Sequence, residues 1–487
     1  MKTTIKTLSV GLFILIGFIL FNALTHNPVQ TQDIDRVNIS IDTDRAVSNL
    51  SESIKFKTIS NQQAFNKNQQ EYDLFIAWLK TTYELVFQKT SLQTFNETLL
   101  FKWEGKDKSL QPILLTGHYD VVPVIPGTEE RWKEPPFSGK VDSEFIWGRG
   151  ALDDKSGVIG ILEAVTYLLE KDFQPTRTVY LSFGHDEEIG GVNGAALVAK
   201  YLSEKEIQLE WSLDEGSFLL EGFIPNVEKL VAAINVAEKG SVTMQVVGKA
   251  DGGHSSMPTS ESAVGHLSKA LSKLEDNRMS GGLEGLNLAM FDEMSRHMPF
   301  IYKIAFANRW LFGGLIDTYL SRLPATNAML RTTTAPTMLS ASIKANVLPI
   351  EAVGVVNFRI HPRNSVEDVF EHVRGLVENE DVEVRAMSYS GRPASEVSSW
   401  ESRGYKVIEN SVREVYGDVI VAPGLMIAGS DSRHYGKVAD DAYRFNPFPL
   451  SNEEFAGFHG TNERIKVKDF IEGIKAYIRI IESGSSL

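Results

Sequence analysis

The sequence contains no cysteine among its 487 residues. Disulfide bridges are therefore excluded, and so are thiolate metal ligands and a cysteine nucleophile. The absence indicates no particular compartment, because disulfide-free proteins occur in all of them. Any metal site in this chain must be built from imidazole nitrogen and hard oxygen ligands.

Positive charge is also scarce. The 49 lysines and arginines face 63 aspartates and glutamates, which gives a net charge of −14. This balance disfavours binding to nucleic acid, since such affinity comes from Lys and Arg meeting phosphates. It does not exclude an anionic small substrate, because a bound metal ion sets its own local charge. The chain is too long for one ordinary core, so two or more domains are expected.

An apolar run lies at the N-terminus. Lys2 and Lys6 precede an uncharged stretch that is apolar from Leu8 to Phe21, which is the shape of an export signal. Neither a clear small-x-small cleavage site nor a lipobox cysteine follows it. An uncleaved anchor over residues 1–25, followed by a polar linker over 26–44, is favoured over a cleaved signal. In both cases we expect a membrane-anchored or exported protein with its catalytic domain on the non-cytoplasmic side.

Beyond the linker, apolar strands alternate with helical patterns. This order predicts an α/β fold with a doubly wound, mostly parallel sheet, whose catalytic domain occupies residues 45–237 and 391–487. The pattern changes over residues 238–390, where predicted strands at 241–247, 340–343, 353–360 and 382–387 enclose two helices. The resulting βαββαβ order is typical of a small α+β sandwich, here inserted into the first domain.

The insertion contains an aromatic-rich excursion between residues 281 and 339. Trp310, Leu311, Phe312 and Leu315 lie within it. These side chains could line a groove for an acyl chain or touch a bilayer. Packing within a lid is the favoured interpretation.

Histidines and acids follow the apolar runs of the larger domain. They are His118 and Asp120 in GHYDVVP, Asp153 in GRGALDDKSG, Glu187 and Glu188 in GHDEEIGG, Asp214 in WSLDEG, and His459 in FHGTNE. Two imidazoles and three carboxylates are the ligands that a pair of divalent cations needs. Open α/β sheets bind ligands at the carboxyl ends of their strands, where most of these residues are expected. Each motif alone also fits an ordinary turn or helix cap, but the set predicts a two-metal hydrolase.

Two further acids suit supporting roles. Glu187 and Glu188 are neighbours and point in different directions, so a ligand role for Glu188 leaves Glu187 as a general base that passes a proton from water to the leaving nitrogen. Asp120 lies on the same side of an extended chain as His118, where a carboxylate fixes the imidazole tautomer.

These motifs resemble those of the M20 family of zinc metallopeptidases, most closely its carboxypeptidase S and N-acyl-amino-acid hydrolase branch. The resemblance covers roughly residues 45–485 and includes GGHSSMP (252–258), NVLP (346–349), VNFRIHP (356–362) and GSDSRHY (429–435). It implies one zinc held by His118, Asp153 and Asp214, and a second held by Asp153, Glu188 and His459. It also implies Glu187 as acid and base, Asp120 as the orienting acid, and a cis peptide bond between Asp153 and Asp154.

The resemblance implies substrate contacts as well. His254 resembles a lid histidine that polarises the scissile carbonyl, with an ordinary turn as the alternative. Asn346 and Arg359 resemble residues that hold the substrate carbonyl and carboxylate, and Arg433 is a weaker candidate. A surface ion pair is the alternative for Arg359. Relatives often pair through the inserted domain, so it is expected to serve as a lid and as the interface of a homodimer.

The expected function is cleavage of an amide bond next to a free amino-acid carboxylate, in a short peptide or an N-acyl amino acid. Two zinc ions are the expected cofactors, with cobalt, manganese or a single-metal site as alternatives. A non-catalytic, membrane-tethered metal-binding or scaffold protein of the same fold is the rival from another class.

Overall fold

The computed structural model describes residues 2–28, 34–61, 68–223, 227–387 and 391–486. The helices are α1 (Lys2–Thr25), α2 (Thr43–Lys55), α3 (Gln69–Thr82), α4 (Glu84–Lys89), α5 (Lys155–Glu170), α6 (Ala195–Glu204), α7 (Ala263–Asp276), α8 (Gly285–Arg296), α9 (Phe300–Ala307), α10 (Arg309–Leu320), α11 (Pro324–Leu330), α12 (Val366–Val377), α13 (Arg403–Tyr416), α14 (Ser432–Tyr435), α15 (Asn452–Phe455) and α16 (Val467–Gly484). The strands are β1 (Ser91–Phe95), β2 (Thr98–Trp103), β3 (Ile113–His118), β4 (Phe145–Trp147), β5 (Val179–Gly184), β6 (Leu209–Glu221), β7 (Val231–Glu238), β8 (Gly240–Lys249), β9 (Gly253–His254), β10 (Thr333–Ser340), β11 (Val347–Leu348), β12 (Glu351–Ile360), β13 (Val382–Ala386), β14 (Ile420–Met426), β15 (Ala439–Ser451) and β16 (Arg464–Lys466).

The larger sheet has eight strands in the order β1-β2-β5-β3-β6-β15-β7-β14. Parallel pairs join β3 to both β5 and β6, β6 to β15, and β7 to β14, whereas β1, β2 and β5 pair antiparallel. Helices cover both faces: α5 and α16 share a core with one side of the sheet, and α6 packs on the other. The predicted doubly wound, mostly parallel α/β sheet is confirmed.

A second, four-stranded sheet has the order β10-β12-β8-β13 and is antiparallel throughout. Helices α7 and α12 pack on it and form a hydrophobic cluster with Met244, Val356, Phe358 and Val369. The predicted βαββαβ order matches these elements, although the domain limits at 238 and 390 stay a prediction. Two short ribbons, β9–β11 and β4–β16, accompany the sheets.

The strand predicted at 340–343 was wrong. The pairing strand is β10, which ends at Ser340, and Ile343 is fully exposed. Strand β10 carries Pro336, and its register against β12 shifts between Pro336 and Met338. A proline and a register shift hide the apolar alternation by which a strand is recognised in sequence.

The aromatic-rich excursion folds as helices α8 to α11. Their inner faces form a small cluster that includes Met290, Phe291, Phe306 and Ile316. Packing of the excursion against itself therefore occurs, but several large apolar side chains of α9 and α10 stay exposed. In the described part of the chain, one helix is long and apolar enough to cross a membrane, over Thr7–Thr25 in α1.

A buried ion pair shapes the loop before α5. Oε2 of Glu463 pairs with Arg149 at 2.5 Å, and both side chains are at most 2% exposed. Oε1 of Glu463 accepts hydrogen bonds from the backbone N–H groups of Gly150, Leu152 and Asp153 at 3.0, 2.9 and 3.2 Å. One carboxylate thus fixes the backbone of the segment that carries Asp153.

We expect Glu463→Gln to lower the free energy of unfolding by about 3–5 kcal/mol, because it leaves the Arg149 charge buried and unpaired. Urea denaturation of the full chain in detergent measures the change. Glu453→Gln is the matched control, since Glu453 pairs with Arg464 while its side chain is 85% exposed, and such a pair contributes about 1 kcal/mol or less. Equal stability of Glu463→Gln and wild type would contradict the structural role.

Candidate active site

Three elements of the large sheet deliver side chains to one place. His118 is the last residue of β3 and pairs in register with Gly184, the last residue of the parallel strand β5. A short 3-10 turn, Glu187–Ile189, follows β5 directly. Strand β6 lies on the other side of β3 and carries Asp214 and Glu215. The predicted meeting point at the carboxyl ends of parallel strands is therefore present.

Two of the predicted ligands, Asp214 and Asp153, lie at other places in the fold than the ends of the sheet strands. Asp214 lies inside β6 rather than at its end, at a place where the pairing with β15 shifts register. Asp153 follows β4, which lies outside the eight-stranded sheet, and it directly precedes α5. Neither acid therefore lies at the carboxyl end of a strand of the larger sheet, where most of these residues were expected. The peptide bond between Asp153 and Asp154 is cis, as the family resemblance implied.

Asp153 lies between two imidazoles. Its Oδ1 is 3.0 Å from Nε2 of His118, and its Oδ2 is 2.7 Å from Nε2 of His459. The same Nε2 atom of His459 is 3.3 Å from Oε1 of Glu188. His118 and Asp153 are buried, whereas the His459 side chain is 47% exposed. Each oxygen of a single carboxylate thus faces a different imidazole, and Asp153 links the two histidines.

Glu215, rather than Asp214, is the acid of β6 that contacts His118. Oε1 of Glu215 is 3.5 Å from Nε2 of His118, and Glu215 forms a metal-capable group with His118 and Glu187 in which the ligand atoms lie within 4.8 Å of one another. Asp214 is absent from the metal-capable groups found among the described residues. Its Oδ1 accepts a hydrogen bond from the backbone N–H of Glu215, and its Oδ2 is buried without a hydrogen-bond partner.

Sequence reasoning missed Glu215, although a signal for it exists. Neighbouring residues of a strand point to opposite sides, so only one of Asp214 and Glu215 can face His118. The sequence does not indicate which one, because both are acids and the register shift in β6 is invisible without coordinates.

Asp120 connects the loops that follow β3 and β5. Its carboxylate oxygens accept hydrogen bonds from the backbone N–H groups of Glu187 and Glu188, both at 3.2 Å. Nδ1 of His118 lies 3.3 Å from Oδ1 of Asp120 and 3.0 Å from its carbonyl oxygen. These contacts leave Nε2 of His118 as the nitrogen that faces Asp153.

The buried acids carry raised pKa values. Burial raises the pKa of Glu188 to about 7, of Glu215 to about 8 and of Asp214 to about 6. Burial also raises the pKa of Glu187 well above its usual range. Asp153 differs: burial alone would raise its pKa, but hydrogen bonds from His118 and His459 hold it below the usual range. Burial therefore favours the neutral form of these acids, and a positive charge close to them would favour the ionised form.

The residues present fit divalent cations. Oε1 of Glu188 is buried without a hydrogen-bond partner, which is costly for an oxygen that carries charge. A second metal-capable group joins His118, Asp153 and Glu188. Imidazole nitrogen with carboxylate oxygen is a donor set that suits zinc, cobalt and manganese.

Two of the predicted substrate residues, His254 and Asn346, are neighbours in a short ribbon. His254 and Val347 pair in the β9–β11 ribbon, where the backbone N–H of Ser255 donates to the carbonyl of Asn346. The His254 ring is exposed, and its Nδ1 lies 2.8 Å from Oγ of Ser256. The structure thus places His254 beside Asn346, in the neighbourhood of the four-stranded sheet.

Two arginines complete the predicted set. Arg359 is an exposed residue of β12. Arg433 in α14 is half-buried, and its Nε donates to Nε2 of His434. A methyl group built on Gly190, just after the Glu187–Ile189 turn, would lie 3.6 Å from an Nη atom of Arg433. Arg433 therefore lies nearer the acidic turn than the other predicted substrate residues.

Known proteins resemble this chain along nearly its whole length. The family model for "Peptidase family M20/M25/M40" matches residues 114–483. "Probable carboxypeptidase S-like 2" of Dictyostelium discoideum is 37% identical over 491 residues, covering 99% of this chain and 94% of that protein. "N-fatty-acyl-amino acid synthase/hydrolase PM20D1" of Mus musculus is 39% identical over 418 residues, covering 85% of this chain and 82% of that protein.

A solved structure shares the fold. The M20 family metallo-carboxypeptidase Sso-CP2 from Sulfolobus solfataricus gives a TM-score of 0.64 at 21% identity, covering 90% of this chain and 99% of that one. The clustered imidazoles and acids, the fold and the sequence matches agree with one another. This chain belongs to the M20 family of peptidases and is a carboxypeptidase-like hydrolase.

Proposed function

We propose that the protein is a dinuclear metal amidohydrolase that cleaves an amide bond next to a free amino-acid carboxylate. The observation that carries this proposal is the carboxylate of Asp153, which offers one oxygen toward His118 and the other toward His459. A carboxylate in this position would hold one cation with each of its oxygens, and the buried acids around it would supply the remaining negative charge.

The chain offers two sets of ligands. His118, Asp153 and Glu215 would hold one ion, with Glu215 in place of the Asp214 expected from the sequence. Asp153, Glu188 and His459 would hold the other. We propose zinc as the ion, with cobalt or manganese as alternatives. Two such ions supply Lewis-acid polarisation of the scissile carbonyl and lower the pKa of water to near neutrality.

Glu187 is the proposed acid and base. Its carboxylate lies in one group with His118 and Glu215, and its backbone is fixed by the hydrogen bond to Asp120. Its pKa is raised by burial, and general acid–base catalysis works best when the pKa lies near the operating pH. Glu187 would take a proton from the attacking water and give it to the leaving nitrogen. Asp120 would hold His118 in the tautomer that presents Nε2 to Asp153.

Substrate recognition is proposed for the region of the smaller sheet. Arg359 presents a guanidinium suited to the two oxygens of a free carboxylate. His254 and Asn346, adjacent in the β9–β11 ribbon, would contact the scissile carbonyl once the insertion closes on the larger domain or is completed by a second copy. Arg433, near Gly190, is a second candidate for the carboxylate.

Two classes of substrate, short peptides and N-acyl amino acids, fit this chemistry. One relative is named a carboxypeptidase S-like protein and the other an N-fatty-acyl-amino acid synthase/hydrolase. The scissile bond in both classes is an amide beside a free carboxylate. The rival function, a non-catalytic scaffold, is disfavoured because none of the proposed metal and acid–base positions carries a residue unable to play its part.

The N-terminal helix suggests the location. We propose that α1 is retained as a membrane anchor and that the catalytic domain lies on the non-cytoplasmic side. The support is its apolar length over Thr7–Thr25 and the two lysines before it.

A substrate panel tests the proposed reaction. The zinc-loaded full chain in detergent is expected to release free amino acid from dipeptides, from N-acyl amino acids or from both, and to spare the same compounds with an amidated carboxyl terminus. The amidated compounds are the matched control, since they lack only the carboxylate charge. Turnover of neither class would support the scaffold, and equal cleavage of amidated compounds would contradict carboxylate recognition.

Glu187→Gln tests the acid–base role. The substitution keeps the shape of the side chain but removes its ability to accept a proton, so kcat should fall by about 10²–10⁴-fold or more. The metal content, measured by atomic emission, should stay at the wild-type value. Glu130→Gln, at an exposed position of another short turn, should leave both quantities unchanged. A kcat within a few-fold of wild type would refute the role of Glu187.

Glu215→Gln and Asp214→Asn together test the ligand set. Both are near-isosteric and both remove one buried charge, so each is the control of the other. After dialysis, Glu215→Gln should retain about one metal equivalent fewer than wild type, because one carboxylate that would contact the ion is lost. Asp214→Asn should retain the wild-type amount. The opposite pattern would return the ligand role to Asp214.

A further inference from the structure

Helices α9 and α10 present an apolar outer surface. Phe300 and Ile301 of α9 are 44% and 68% exposed, and Trp310, Leu311 and Leu315 of α10 are 60%, 46% and 68% exposed. The opposite sides of these helices are buried in the cluster around Phe306, Ile316 and Leu320. Internal packing therefore explains one side of each helix and leaves these large apolar side chains exposed on the other.

The same helices contact α1. The rings of Phe18 and Trp310 lie 6.2 Å apart. Nδ2 of Asn308, between α9 and α10, donates to the carbonyl of Ile19 at 3.1 Å, and Nδ2 of Asn22 donates to Oδ1 of Asn308 at 2.9 Å. Asn308 is fully buried. The junction of α9 and α10 is thus attached to the side of α1.

The residues that follow the C-terminal end of α1, His26 and Asn27, are attached as well. Nε2 of His26 lies 2.8 Å from Oγ of Ser295, and Arg296 donates to the carbonyl of Asn27 at 3.0 Å. Both His26 and Ser295 are buried. The end of the apolar helix is therefore fixed to α8 by polar contacts, at the level where a spanning helix leaves the hydrocarbon.

The contacts with α1 fix the level along that helix at which the apolar surface of α9 and α10 lies. Phe18 precedes the end of α1 at Thr25 by seven residues, which is about 10 Å along a helix at 1.5 Å per residue. Trp310 touches α1 at that level, well inside the apolar stretch Thr7–Thr25. Helices that lie in a membrane interface bury their apolar faces about 5–10 Å deep. A bilayer crossed by α1 would therefore reach the exposed surface of α9 and α10.

The charges on these elements agree with that position. Arg296 and Arg309 pair with Asp292 near the C-terminal end of α1, and Nζ of Lys303 lies 3.5 Å from Oδ1 of Asn27. These groups are close to the end of α1, where headgroups would lie, and Arg and Lys are favoured at that level. Trp310 lies deeper instead, at the level of Phe18.

We propose that the outer surface of α9 and α10 is embedded in the leaflet that α1 enters, so that the three helices form one membrane-bound unit. The occupant of the apolar surface is the acyl-chain region of the bilayer. This inference depends on the proposed anchoring by α1 but not on the proposed reaction, and it takes up the bilayer alternative for the aromatic-rich excursion.

The absence of cysteine makes a direct test available. Single cysteines are introduced at Leu315 and Ile301 of the full chain, labelled with an environment-sensitive fluorophore, and the protein is reconstituted into phospholipid vesicles with nitroxide groups at shallow or deep acyl positions. Phe13→Cys in α1 reports on the anchor itself. Leu74→Cys in α3 is the matched control, since Leu74 is an exposed leucine of similar accessibility, 48%, on the larger domain.

Shallow nitroxides should quench the labels at Leu315 and Ile301 by several-fold, and deep nitroxides should quench Phe13, while Leu74 stays unquenched. Quenching at Phe13 alone would overturn the inference and leave the anchor intact. The absence of quenching at Phe13 would overturn both. Energy transfer between Leu315 labels on different copies, without quenching by lipid, would instead assign the surface to a second copy and would also overturn the inference.

Discussion

The structure of the candidate active site depends on the burial of several carboxylates close to one another. Burial raises the pKa values of Glu188 and Glu215 toward neutrality, and the opposing hydrogen bonds from His118 and His459 keep Asp153 ionised. Such a cluster is unfavourable unless positive charge compensates it. The imidazoles supply part of that charge, and two cations in the proposed positions would supply the rest.

The surrounding backbone is adapted to this cluster. Glu463 holds the segment that carries Asp153, and its partner Arg149 also donates to the carbonyl of His459 at 3.3 Å. The two loops that face each other across Asp153 are therefore connected. Gly117 permits a close approach on the other side, since a methyl group there would lie 2.5 Å from Oδ2 of Asp154. Asp120 joins the loops after β3 and β5 in the same way.

Sequence patterns predicted the parts of the fold that local periodicity determines. Continuous apolar runs identified β3 and β5, and helical stripes identified α5 and α16. The motif residues His118, Asp153, Glu188 and His459 lie within contact distance of one another; strand ends that converge in a parallel sheet account for His118 and Glu188, whereas Asp153 and His459 arrive on loops outside that sheet. The predictions failed where backbone geometry, and not the local sequence pattern, determines the position of a strand or a side chain. Pro336 concealed β10, and the register shift in β6 decided between Asp214 and Glu215. The contact between α1 and α10 joins residues nearly 300 positions apart, so no local pattern could predict it.

The central claim is that Asp153 is shared by two metal ions. Anomalous diffraction from crystals of the zinc-loaded protein, collected on both sides of the zinc edge, tests it most directly. We expect two peaks about 3.5–4 Å apart, one on each side of the Asp153 carboxylate. The first should lie near His118 and Glu215, and the second near Glu188 and His459. A single peak, or two peaks that do not both contact Asp153, would contradict the claim.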